Sequence, residues 1–292
     1  MLNIGFIGLG NMGLPMSINL AKKGYNIEAT DINKKIANQL ENTPIVFKEN
    51  LSDTVQNKEV IITMLPNSEI VEKVWGDIIN YTSKDTIIID CSTIDINTSK
   101  HLNEKSDKRG LHMLDAPVSG GVKGAKDGTL TFMVGGDTKI FKKITPLLEA
   151  MGSRSIHCGP SGSGQLAKTC NNLVLAITMI GVSEAFNLAK KSSLDLKILF
   201  DVLSTSTASC WAINKYCPVP NIGPESPSDK NYKGGFSTSL MAKDLGIAIK
   251  SINSSSSSST LGREAKRIYD DMKKNDLGDL DFSVVINYLN KN

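Results

Sequence analysis

Residues 3–8, NIGFIG, form an apolar run of the kind buried in a parallel strand, and they lead into GLGNMG, which sets Gly8, Gly10 and Gly13 in a GxGxxG register. LPMSINLAKKG continues with helical periodicity and stops at Gly24, a C-terminal cap, and YNIEATD then reads as a second strand ending in Asp31. Strand, glycine turn, helix, strand and terminal acid within about 30 residues admit very few folds. The first glycine permits the tight turn, the second lets a pyrophosphate approach the backbone, and the third lets helix and strand pack closely. The helix start offers unpaired N–H groups and a partial positive charge to phosphates. A dinucleotide site is therefore expected at Gly8, Gly10, Asn11, Met12, Gly13 and Asp31. Asp31 is placed to accept hydrogen bonds from the adenosine ribose and to repel a 2′-phosphate. Ile32 follows it and no arginine stands beside it, so the expected cofactor is NAD, with Lys34 and Lys35 near enough to leave NADP open.

The alternation of strand and helix continues. EVIITML (59–65) and IIIDC (87–91) are apolar strands, followed by Pro66-Asn67 and by Ser92-Thr93-Ile94. Ligands of open α/β sheets lie beyond the carboxyl ends of the strands, so Leu65, Pro66 and Thr93 are expected to meet the cofactor. LHMLDA is a further strand, and PVSGGVKG after it reads as a glycine loop whose successive N–H groups, with the Ser119 hydroxyl, suit a small carboxylate. TLTFMVGG is another strand, 139–152 a helix ending at Gly152, and SRSIHCG a short edge strand.

From Gln165 the strand pattern disappears. Lys168 and Asn172 lie four residues apart, so a helix presents them on one face, one turn apart. The run LVLAITMIGV behind them is apolar on nearly all sides, as in a helix buried among other elements. A lysine and an asparagine on the first turns of a buried helix are costly without a purpose. Residues 195–207 form a second helix, and 208–237, rich in proline and glycine, form a loop long enough to suggest a function. Helices follow at 238–253, 262–275 and 281–292, with six serines (254–259) as a tolerated loop insertion. The expected fold class is α/β: an N-terminal Rossmann-type doubly wound sheet (1–164) plus a C-terminal all-helical domain (165–292), with a small substrate expected in a cleft where the two meet.

Composition narrows the partners. A net charge of +3 from scattered lysines gives no reason to expect nucleic acid or an anionic membrane as a partner. No uninterrupted apolar run reaches the length of a membrane span. The five cysteines show no CxxC and the three histidines no metal-site spacing, so reduced thiols, an intracellular setting and no metal are expected. No charged amphipathic leader precedes the first strand.

Taken together, GFIGLGNMG (5–13), MLP (64–66), STID (92–95), DAPVSGG (115–121), GSGQLAKTCNN (162–172) and FSTSLMAKDL (236–245) resemble the β-hydroxyacid dehydrogenases over the length of the chain. CWAINKYCPVP and NYKGGF are most similar to the branch acting on 3-hydroxyisobutyrate in valine breakdown. The resemblance implies NAD-dependent oxidation of that hydroxyacid to methylmalonate semialdehyde. It implies Lys168 as the catalytic acid/base, Ser119, Gly120 and Gly121 holding the substrate carboxylate, Asn172 beside the reacting carbon, and Lys243 lying across the cofactor. A desolvated lysine beside a second cation gives up its proton more readily than one in water, and Lys243 is the candidate second cation. The resemblance further implies a homodimer or homotetramer and, for eukaryotic relatives, the mitochondrial matrix; this chain shows no leader, which keeps the cytoplasm open. Two other readings stay open: a related short β-hydroxyacid such as tartronate semialdehyde as substrate, and a non-catalytic NAD-binding scaffold.

Overall fold

The computed structural model describes residues 2–290, and the chain divides into two compact units between Lys168 and Thr169. The first unit is built on a sheet of strands β1 (Asn3–Ile7), β2 (Asn26–Thr30), β3 (Val46–Phe47), β4 (Val60–Thr63), β5 (Ile87–Asp90), β6 (His112–Asp115), β7 (Val118–Ser119), β8 (Leu130–Gly135) and β9 (Gly152–Gly159). They run in the order β3-β2-β1-β4-β5-β6-β8-β7, with β9 against β8. Strands β1 to β6 pair in parallel, β8 is antiparallel to β6 and β7, and β9 is parallel to β8. The order reverses direction between β1 and β4, which makes the carboxyl ends of those strands the switch point of the sheet.

The parallel strands are apolar throughout because both faces are covered. Ile4, Phe6, Val60, Ile62, Ile87, Ile89 and Leu114 enter one core, while Ile7, Ile61, Ile88 and Met113 enter a second. Neighbouring residues point to opposite faces, so consecutive isoleucines are divided between the two cores. The covering helices are α1 (Gly13–Lys22), α2 (Leu51–Val55), α3 (Ser68–Tyr81), α4 (Ile96–Lys108), α5 (Gly121–Asp127) and α6 (Thr138–Glu149). Helices α3 and α4 are the crossovers that the alternation implies, in stretches where the sequence reading set no helix bounds. Asn67 caps α3 by accepting from Ile70 N, and Val71, Trp75 and Ile78 form its buried stripe. Asp95 caps α4 through Asn97 N and Thr98 N. The glycine loop expected after β6 is only partly a loop. Val118–Ser119 pairs with β8, and from Gly121 the chain turns into α5, whose Gly124 and Ala125 are buried. Asn19 of α1 donates to Ala125 O and fixes that short helix.

Helix α7 (Ser163–Lys191) crosses the division between the units. Helices α8 (Leu196–Thr205), α9 (Trp211–Asn214), α10 (Thr238–Ser254), α11 (Thr260–Lys274) and α12 (Val285–Leu289) complete the second unit. Its core gathers Ala176, Met179, Val182 and Phe186 of α7 with Met241 and Leu245 of α10, Ile268, Tyr269 and Met272 of α11, and Phe282 and Val285. Although no uninterrupted apolar run reached span length, α7 as a helix of 29 residues is long and apolar enough to cross a membrane, and 39% of its apolar window is buried in the protein. The polyserine insertion is shorter than its run of serines, since α10 continues through Ser254. The 281–292 stretch forms a 3-10 turn, Phe282–Val284, followed by α12, and its last residues, Lys291 and Asn292, lie outside the described residues.

Candidate active site

Gly8 closes β1 with φ of +94°, and a Cβ there would lie 2.3 Å from Met64 O on the adjacent strand turn. A Cβ on Gly13 would lie 1.9 Å from Gly8 O, so helix α1 can start this close to β1 only with glycine at that position. Gly10 faces open space, as a residue over which a phosphate must pass requires. Helix α1 begins with no side-chain cap and no acidic residue in its first turn, which leaves its positive end to a ligand. Asn11 is exposed and Met12 half-buried on the same turn. At the end of β2, Asp31 accepts from Leu9 N at 2.6 Å through Oδ2 and from Asn33 N at 2.7 Å through Oδ1. Two amides fix the carboxylate and leave lone pairs on both oxygens for a ribose. Lys34 bonds Glu49 O and stands 3.8 Å from the Glu49 carboxylate, so it is engaged elsewhere. These residues fit a dinucleotide.

Beyond the ends of β4, β5 and β6 lies a buried polar network that the sequence did not disclose. Asp90 Oδ1 accepts from Thr63 Oγ1 at 2.8 Å and from Ser92 N at 3.1 Å. Ser92 Oγ in turn accepts from Leu65 N at 2.8 Å. Asp115 accepts from Gly162 N at 2.7 Å and from Gln165 N at 2.9 Å, and so holds the start of α7 to β6. Gln165, fully buried, accepts from Ile94 N at 3.1 Å and donates to Ser92 O at 2.8 Å. Leu65 and Thr93 thus sit on a loop and a strand end that are tied down from beneath, with Pro66 exposed beside them.

Desolvation dominates the protonation of these carboxyls. Burial raises Asp90 to about 6 from an ordinary 3.8, against the lowering pull of Ser92 and Thr63, and the Asp115 charge adds to the rise. Burial also raises Asp115, although the backbone amides of Gly162 and Gln165 favour its ionised form. A carboxyl that holds its proton more tightly when folded contributes stability that is complete below the unfolded value and is lost as pH rises through about 6. A shift of this size is worth about 3 kcal/mol. Urea unfolding of wild type and Asp90→Asn between pH 4 and 7.5 should show the wild type losing about that much more stability over the interval. Parallel pH profiles for the two proteins would remove Asp90 as the cause.

Lys168 lies on the second turn of α7 and is 9% exposed. In the second unit, Asn172 is buried and donates from Nδ2 to Asp244 Oδ2, while its Oδ1 accepts from Asn171. Lys243 Nζ pairs with Asp244 Oδ1 at 3.1 Å. Asn172, Asp244 and Lys243 therefore form one chain of contacts joining α7 to α10. In the first unit Ser119 is half-buried and Gly120 and Gly121, with φ of +131° and +62°, are exposed at the start of α5. The stretch 208–237, expected as loop, carries α9 and a 3-10 turn, Pro227–Lys230, and it is ordered from a point outside it. Asp281 Oδ2 accepts from Tyr216 OH and Phe236 N, both at 2.8 Å, and its Oδ1 accepts from Ser283 N and Oγ. Burial and the facing Asp281 charge raise the Tyr216 phenol, so it remains a donor. The Trp211 ring, 47% exposed, stacks on Tyr216 with centroids 4.6 Å apart.

A mixed sheet with a parallel β3-β2-β1-β4-β5-β6 run, a glycine turn at its switch point and an acid ending β2 define a dinucleotide-binding domain, here followed by a helical unit. Residues 3–159 match the NAD-binding domain of 6-phosphogluconate dehydrogenase, and residues 162–289 match the NAD-binding region of NADP-dependent 3-hydroxyisobutyrate dehydrogenase. The mitochondrial 3-hydroxyisobutyrate dehydrogenase of Drosophila melanogaster is 44% identical over 99% of this chain and 90% of its own length. The NAD-dependent L-serine dehydrogenase of Pseudomonas aeruginosa is 41% identical over 98% of this chain and 97% of its own. The solved structure of Mycobacterium tuberculosis 3-hydroxyisobutyrate dehydrogenase with L-serine is 42% identical and superposes with a TM-score of 0.93, covering 99% of each chain. The chain belongs to the 3-hydroxyisobutyrate dehydrogenase family. It is an oxidoreductase that uses NAD as cofactor.

Proposed function

We propose that this protein oxidises 3-hydroxyisobutyrate to methylmalonate semialdehyde, with Lys168 as the acid/base. The observation that carries the reading is a lysine 9% exposed, on a helix start that Asp115 and Gln165 anchor to the cofactor sheet. When bound, NAD supplies the hydride acceptor at nicotinamide C4. Lys168 takes the hydroxyl proton as the alcohol carbon becomes a carbonyl; in reverse, its ammonium stabilises the developing negative charge on oxygen and returns the proton. Ser119 and the backbone of Gly120 and Gly121 receive the substrate carboxylate, and Asn172 orients the substrate. Gly8, Gly10, Asn11, Met12 and Gly13 take the pyrophosphate, Asp31 the adenosine ribose, and Leu65, Pro66, Thr93 and Lys243 the rest of the dinucleotide. In this reading residues 1–164 bind NAD, and residues 165–292 bind substrate and form a homodimer or homotetramer.

The named relatives include both 3-hydroxyisobutyrate dehydrogenases and an L-serine dehydrogenase, so serine is the second reading. NADH formation with 3-hydroxyisobutyrate, L-serine, glycerate and 3-hydroxypropionate decides between them. The expected result is a kcat/KM for 3-hydroxyisobutyrate at least about tenfold above that for any other, a margin that one methyl group in an apolar pocket supplies. A preference for L-serine or glycerate would overturn the assignment. Eukaryotic relatives named as mitochondrial support the mitochondrial matrix, and the cytoplasm is the alternative.

A further inference from the structure

We infer that Gln165 is a positioning residue that sets the cofactor loop 92–95 and the start of helix α7 as one unit. Its side-chain amide brackets Thr93. Oε1 accepts from Ile94 N at 3.1 Å on one side, and Nε2 donates to Ser92 O at 2.8 Å on the other. The side chain reaches 71 and 73 residues back along the chain to do so, and it is fully buried. Its own backbone N–H donates to Asp115 Oδ2, which fixes the residue to the end of β6. Ser92 carries the linkage further, because its hydroxyl accepts from Leu65 N at the end of β4. Lys168 follows Gln165 by three residues on the same helix, so the two move together. The neutral primary amide both donates and accepts here. A carboxylate in its place keeps the bond from Ile94 N and turns the Ser92 carbonyl contact into a repulsion.

That difference makes the inference testable by pH. The inference rests on the reading of Thr93 as a cofactor contact and of Lys168 as the acid/base. Gln165→Glu has nearly the same shape, and its protonated form regains a donor for Ser92 O. At pH 8, relative to wild type at the same pH, Gln165→Glu is expected to show at least about tenfold faster amide exchange across 92–95 without NAD. Its NAD dissociation constant should rise about tenfold and its kcat should fall by a similar factor. Relative to wild type, all three should recover as pH falls towards 5.5, where the buried carboxyl takes up a proton. Gln165→Met, which neither donates nor accepts, should show the same defects with no recovery, and it carries the test alone if the glutamate variant does not fold. Wild-type exchange across 92–95 in Gln165→Met would overturn the bracket. Faster exchange with unchanged NAD affinity and kcat would overturn the coupling. Failure of the Lys168 reading would appear separately, as an active Lys168→Ala, and would leave the exchange and NAD-affinity results standing.

Discussion

Lys168→Ala is expected to lower kcat by about a thousandfold or more while leaving the dissociation constant for NAD within about twofold of wild type. The first figure corresponds to about 4 kcal/mol of transition-state stabilisation. It is the loss expected when the group that takes the proton during hydride departure is removed and nothing nearby replaces it. The second follows from where the dinucleotide is proposed to bind: the glycine turn, Asp31 and the ends of β4 and β5, where Asp31 is held by Leu9 N and Asn33 N, Ser92 Oγ by Leu65 N and Asp90 by Ser92 N. Because the lysine is 9% exposed, its aliphatic stem also packs, and alanine removes packing as well as charge. Lys168→Met separates the two contributions. It keeps the stem and should restore thermal stability without restoring turnover. Short alkylamines added to the alanine variant should recover part of the lost rate, since they return an amine to the space the side chain left. Retention of more than about a tenth of wild-type kcat in either variant would make the acid/base assignment untenable.

How much of this was legible in the sequence depends on the distance between partners. The glycine turn and Asp31 form a local unit in which each residue's expected role follows from its neighbours within one strand-helix-strand, and the structure has that strand-helix-strand. Lys168 and Asn172 could be placed on one helix face by spacing alone. The carboxyl-end network could not be found that way. Thr63 meets Asp90 across 27 residues, Gly162 meets Asp115 across 47, and Gln165 meets Ser92 across 73. Each of those residues read singly is an ordinary strand, loop or helix residue, and only the sheet order brings them together. The same holds for Asp281, which orders a loop 45 to 65 residues earlier. Helix α3 was different, because its signal was present: an asparagine cap at Asn67, then Val71, Trp75 and Ile78 at helical spacing. Helix α4 carries the same capping signal at Asp95, but only Ser99, Leu102 and Ser106 are buried on it, so its apolar stripe is too thin to stand out. The start of α5 misled for a physical reason. Two consecutive glycines of positive φ read as a turn, but Gly120 caps the helix and Gly121 already opens it.

Asp31→Ser combined with Ile32→Arg is expected to move the ratio of kcat/KM for NAD over NADP by about a thousandfold towards NADP. Asp31 is held by Leu9 N and Asn33 N with lone pairs to spare, so the discrimination proposed for it would be preorganised and would need no ordering on binding. Removing it takes from NAD a charge-assisted bond to the ribose worth about 1.5–3 kcal/mol and takes from NADP a repulsion of similar size. Ile32 is 99% exposed, so an arginine there disturbs no packing and reaches solvent at the position a 2′-phosphate would occupy. Lys34 cannot stand in for it while paired with Glu49. The two changes should be non-additive, because they act on one phosphate. Ile32→Arg alone should gain little while Asp31 still repels that phosphate, and Asp31→Ser alone should lose NAD without winning NADP. Serine keeps a hydroxyl acceptor for one of the two stranded amides, so thermal unfolding should fall only slightly and any change in cofactor ratio can be read as recognition. An unchanged ratio in the double variant would mean that Asp31 ends the strand without reading the cofactor, and the choice of NAD would have to be made elsewhere on the sheet.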